Sequence, residues 1–335
     1  MQVDNTPHRI PELWFDDGSI VIQAENTQFR VHRSILAARS PVFKDMLSFP
    51  QPPQAEAGSE SVEGCLVVRL HDSPAEVTVF LKAIFDSAFF MEHPSLTEFE
   101  TVVGVLRLSH KYDVGYLRRR ALIHLSSAFS TTLSRWDKIL ARAHSDEPLA
   151  SSMELNSWAM PRVGTLFAVL MPLVGEVGAV WILPHLFYYL SSQFRTLSDE
   201  ILLKIWTNIR IDEQITFLRG HDIQGQSMLR DVTAVLRDTI GPDCRSTKEC
   251  AQARLWAIDH TVEMTRTFPS VPLEVWREAD WHLLEERVCW NCQNALREKH
   301  RAARQVFWDK LPVIYGLPSW EELEKMKIEA IGNIF

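Results

Sequence analysis

Five cysteines in 335 residues are too few for a disulfide scaffold, and their scarcity fits a reducing compartment, the cytosol or the nucleus. No glycine-rich loop for cradling phosphate is present, and no Gly-x-Ser-x-Gly or His-Glu-x-x-His motif. The chain therefore lacks the common signatures of nucleotide, serine and zinc-protease chemistry. Its first residues are polar and acidic, without the apolar core of a signal peptide. No repeat of fixed period appears, which argues against a solenoid or propeller array. The longest basic run is Arg118-Arg119-Arg120, too short for a nuclear signal, and it reads as the solvated face of a helix. With a formal net charge of −8, neither nucleic acid nor an acidic membrane is an expected partner.

What is present suits a globular protein of two domains: 46% hydrophobic and 23% charged residues. Residues 163–190 are apolar over a length that could span a bilayer. They contain Glu176 and His185 and are cut by Pro172 and Pro184, so they read as two buried helices with a turn near Gly175–Gly178.

The most informative stretch is 17–47. Residues 17–23 are rich in β-branched side chains and read as a strand; 24–28 are polar and suit a bend, and Phe29 to His32 form the return strand. From Ser34, the expected N-cap, the period becomes helical. Ile35, Leu36, Val42, Phe43, Met46 and Leu47 are assigned to one buried side, with a break at Ser40-Pro41. Residues 50–63 are proline-rich, then acidic and small, and read as a flexible loop. Cys65 to Leu70 give a third strand. A helix starts at Pro74, another near Ser95 or Thr97, and a third after the break at Asp113-Val114-Gly115.

This pattern of hairpin and helix, with His32-Arg33-x-x-Leu36-Ala37-x-x-Ser40-x-x-Phe43, resembles the N-terminal half of a BTB/POZ domain. The later His110-Lys111-Tyr112-Asp113-Val114-x-x-Leu117 is similar to that family's late helix pair. More narrowly, the chain resembles basidiomycete fungal proteins that join one BTB domain to a helical C-terminal region. Glu176 to Tyr188 and Ile314 to Leu323 carry that likeness. The expected organisation is a loose arm over 1–12, an α+β BTB/POZ domain of a small sheet plus helices over 13–129, and a mainly α-helical region over 130–335. The resemblance makes Asp17, His32, Leu36, Ser40 and Phe43 structural residues of the domain. Asp16 and Asp17 do not suit one metal ion, because adjacent residues on a strand point to opposite faces.

Beyond residue 130 the periodicity predicts helices, with irregular insertions over 148–161 and 269–272. Ser198-Asp199-Glu200 is a helix start, and Trp320 is expected to pack the last helix onto the body. The sharpest chemical motif is Cys289-Trp290-Asn291-Cys292. With Cys244 and Cys250 it could close a four-sulfur structural zinc site, with His260 and His282 as substitute ligands. The other reading is four unpaired thiols. A redox role would need a βαβ setting that this helical region does not offer. No other cofactor and no catalytic residue is expected.

The resemblance implies a non-enzymatic interaction protein with two generic surfaces. One is an apolar face for homo- or heterodimerisation, to which Leu13, Trp14, Phe15 and Ile20 are assigned. The other, with Met46 and Phe49, corresponds to where many relatives bind a cullin scaffold of a ubiquitin ligase. Cullin-binding relatives carry a hydrophobic-x-Glu pattern there, whereas this chain has Phe49-Pro50-Gln51-Pro52-Pro53. A cullin substrate adaptor and a transcription-associated regulator are the alternatives.

Overall fold

Residues Ile20–Ala24 and Thr27–Val31 form the expected antiparallel hairpin, strands β2 and β3, bent at Glu25. The computed structural model describes residues 7–48, 61–143, 157–207, 209–238, 241–267 and 270–334. Every residue of β2 is buried, because neighbours flank it on both edges and helices cover the sheet. The sheet has five strands in the order β1-β3-β2-β5-β4, where β1 is His8–Trp14, β4 is Ser61–Val62 and β5 is Cys65–Leu70.

Two of these strands correct the sequence reading. Residues 8–12, expected in a loose arm, belong to β1 and run parallel to β3. Pro11 is tolerated because β1 lies at the sheet edge, where a missing N–H costs no ladder bond, and the register shifts between Arg9 and Trp14. Ser61 and Val62, expected in the flexible loop, pair with β5 across a tight turn. In that turn Glu63 and Gly64 both adopt positive φ. The rest of that loop, 50–60, lies outside the described residues, as does most of the irregular insertion expected over 148–161.

Helices α1 (Arg33–Arg39) and α2 (Pro41–Ser48) follow the hairpin. Ser34 is not the N-cap of α1. The helix starts two residues earlier, with His32 at the cap position and the Arg33 N–H donating to Ser19 Oγ at 3.1 Å. The break at Ser40 is as read, but the buried stripe is narrower than assigned. Leu36, Phe43 and Leu47 are buried, whereas Ile35 and Val42, assigned to the same side, are 38% and 36% exposed. Helices α3 (Pro74–Phe85), α4 (Phe99–Lys111) and α5 (Gly115–Ser127) complete this part. Helix α4 begins later than Thr97, because the Thr97 N–H bonds to the Ser157 carbonyl at 2.9 Å in a short bridge.

The remaining chain is helical, as expected. Its first elements are α6 (Leu133–Ala143), α7 (Val163–Val177), α8 (Leu183–Gln193), α9 (Asp199–Trp206) and α10 (Ile211–Ser227). Helices α11 (Thr247–Thr267), α12 (Glu278–Glu285), α13 (Trp290–Ile314) and α14 (Trp320–Ile331) follow. The apolar stretch 163–190 is two buried helices, parted at Gly178, whose φ of 74° suits a residue without Cβ. Among the described residues no helix is long and apolar enough to cross a membrane. Trp320 stacks on Trp308 with centroids 5.1 Å apart and donates its indole N–H to the Trp308 carbonyl.

The two parts share one hydrophobic core. The basic run on α5, expected on a solvated face, joins them, with Arg119 still exposed and Arg118 and Arg120 half-buried. Arg118 donates to the carbonyl of Val177 at 3.0 Å and Arg119 to that of Ile331 at 2.7 Å, the last residues of α7 and α14. Arg120 bonds the Phe90 carbonyl. The first two guanidiniums thus satisfy carbonyls that a helix end leaves without an internal partner.

Candidate metal centre and interaction surfaces

The turn before α11 supplies Cys244, and the first turn of α11 supplies Cys250. The N-cap of α13 is Cys289, and Cys292 lies in its first turn. Their sulfurs all lie within 4.8 Å of one another, and those of Cys244 and Cys289 are 4.0 Å apart. Cys250 and Cys292 are buried; Cys244 and Cys289 are half-buried. The Cys289 N–H donates to the sulfur of Cys250 at 3.3 Å. Hydrogen bonds from the backbone of Arg245, and then of Cys292, hold the Cys289 thiol down at about 6. Burial pushes the Cys250 and Cys292 thiols up. His260 and His282 stand apart from this group. The first pairs with Asp280 at 2.9 Å and stacks on Trp256, and the second pairs with Glu285 at 3.3 Å.

The motif residues of the N-terminal part interlock. Ser40 Oγ accepts the Phe43 N–H at 3.0 Å, so it caps α2, and it donates to the Tyr112 carbonyl beyond α4. Phe43 stacks on Tyr112 with centroids 4.6 Å apart, and Tyr112 on Phe80 at 5.7 Å. The Tyr112 hydroxyl donates to Asp72; burial, and then this bond, raise the phenol above its ordinary value. Leu36 lies in the core. His32 sits 3.6 Å from the Asp17 carboxylate and packs against Phe15, with ring centroids 5.2 Å apart.

Residues 16–128 match the family model of the BTB/POZ domain. The chain is a BTB domain-containing protein. The comparison with curated proteins gave no match, and neither did the comparison with solved structures.

On the BTB domain the expected interaction residues divide. Leu13 and Ile20 lie in the core at 2% and 1% exposure and present nothing to a partner. Trp14 and Phe15 are half-buried; the Arg9 guanidinium lies 4.1 Å from the Trp14 ring, and Phe15 lines a cleft of about 380 Å³ with Lys82, Phe85 and Phe89. Met46 is half-buried against the core, and Phe49 lies outside the described residues. The apolar side chains that do face outward on the first helices are Ile35 and Val42, beside exposed Ala38. Sequence reasoning missed them by assigning too wide a buried stripe. Leu36 and Phe43, each adjacent in sequence, take the inward positions roughly 100° away on a 3.6-residue helix.

A larger cleft of about 720 Å³ lies in the helical region between α6, α12 and α13. Its charges are largely paired: Arg304 with Asp137 at 2.5 Å, Arg297 with Glu278 at 2.8 Å and Arg277 with Glu274 at 3.4 Å.

Proposed function

We propose that the chain is a non-enzymatic scaffold that forms a homodimer through its BTB domain and recruits a further protein through its helical region. The family match over residues 16–128 carries this reading, since BTB domains are protein–protein interaction modules. The exposed Ile35, Ala38 and Val42 support symmetric pairing across α1 and α2. The outer edge of β1 extends the same case, because an edge strand offers unpaired backbone groups. The chain is of the basidiomycete type with a helical C-terminal region, on the likeness of Glu176 to Tyr188 and Ile314 to Leu323. Its sparse thiols suit the cytosol or nucleus.

The test is copurification together with size. A dimer that captures no cullin is the expected result. Stoichiometric copurification of a cullin would make the chain a ubiquitin-ligase adaptor instead. Salt-dependent binding to DNA would move it to the transcriptional class.

A further inference from the structure

We propose that Cys244, Cys250, Cys289 and Cys292 bind one structural zinc ion that fastens the start of α11 to the junction of α12 and α13. This inference is independent of the scaffold reading, and all four residues lie outside the matched BTB domain.

The distances carry it. Zinc held by four thiolates at about 2.3 Å in a tetrahedron places the sulfurs about 3.8 Å apart. Here every pair lies within 4.8 Å, and one pair is already at 4.0 Å. Side-chain rotations that shorten the wider gaps by roughly 1 Å complete the tetrahedron at that bond length. The span is too small to surround a multi-iron cluster, so the site suits a single ion of the S4 class.

The sequence pattern agrees. Cys289-x-x-Cys292 across a helix N-terminus is a chelate loop, and Cys244-x5-Cys250 across the start of a second helix supplies the other half. Both helix N-termini favour negative charge, which the thiolates bring. The N–H of Cys289 aimed at the Cys250 sulfur is the outer-shell contact a bound thiolate uses. Four sulfurs leave no open position, so the site is closed and has no catalytic role. Zinc loading releases the protons of the thiols still protonated and breaks no covalent bond.

The side-chain amide of Asn291 bonds the Asp243 carbonyl at 2.8 Å, so the two cysteine segments already meet through ordinary hydrogen bonds.

The experiment uses the full chain without a histidine tag, purified without chelator, with elemental analysis and X-ray absorption at the zinc edge. About one zinc per chain, with four sulfur neighbours at about 2.3 Å, is the expected result. Cobalt substitution should give the intense charge-transfer bands of a tetrathiolate site. In Cys292→Ser the zinc content should fall at least tenfold; should that variant not fold, the wild-type spectra decide alone. A metal-free chain that takes up no zinc on dialysis overturns the proposal, as does zinc with nitrogen or oxygen neighbours. One iron per chain in its place also overturns it.

Discussion

Val42 and Phe43 are neighbours in sequence, and the structure gives them opposite fates. Phe43 is fully buried and stacked on Tyr112, whereas Val42 is 36% exposed. Truncating Phe43 to alanine removes a ring from a packed core, which costs about 3–5 kcal/mol. The stacked pair accounts for roughly 0.5–1.5 kcal/mol of that. Truncating Val42 removes two methyl groups from a partly solvated position, and surface changes of that kind stay within about 0.5 kcal/mol. At about 2–4 °C per kcal/mol for a domain of this size, Phe43→Ala should lower the melting temperature by about 6–20 °C. Val42→Ala should lower it by no more than about 2 °C on the same scale. The assay is thermal and urea unfolding followed by circular dichroism, with the urea slope checked for constancy. Equal losses, or a larger loss for Val42→Ala, would refute the narrow buried stripe through Leu36 and Phe43 and return Val42 to the core.

His185 and His300 should make the protein acid-sensitive, because burial lowers each to about 3. Between that value and the unfolded value near 6.5 the unfolded chain binds protons that the folded one refuses. Their contribution is therefore complete above pH 6.5 and lost as pH falls. From pH 7.5 to 5.5 the pair should cost about 3 kcal/mol in urea-unfolding free energy, and His185→Gln should remove about half of that dependence. Arg118→Ala should lower stability by about 1.5–3 kcal/mol in the same assay, since it deprives the Val177 carbonyl of a charged donor. No loss would mean that water replaces the guanidinium there. The double variant Ile35→Asp/Val42→Asp should stay folded by circular dichroism while shifting the chain to monomer in light scattering.

The sheet and its helices were readable wherever local pattern and burial agree. The hairpin 20–31, the break at Ser40-Pro41 and the start of α3 at Pro74 are each set by residues within a few positions. Strand β1 was not readable, because its ladder with β3 is a non-local pairing and Pro7 and Pro11 locally suggest a loose chain. The arginines of α5 misled for a similar reason. Their type suggests solvent, but the carbonyls they meet belong to helices more than 50 and more than 200 residues away. The cysteine site lay between these cases. Residue type and the C-x-x-C spacing marked it, and only the fold could bring Cys244 and Cys250 to the start of α13. The outward Ile35 and Val42 were concealed by too broad a buried stripe, which put them inside.

The most direct test of the account is the mass of the purified full chain in solution, measured by size-exclusion chromatography with light scattering at micromolar concentration. One chain has a mass of 38.5 kDa, and the account predicts a particle of twice that, converted to the single-chain mass by Ile35→Asp/Val42→Asp. A wild-type particle of 38.5 kDa across that concentration range would contradict pairing through the BTB domain.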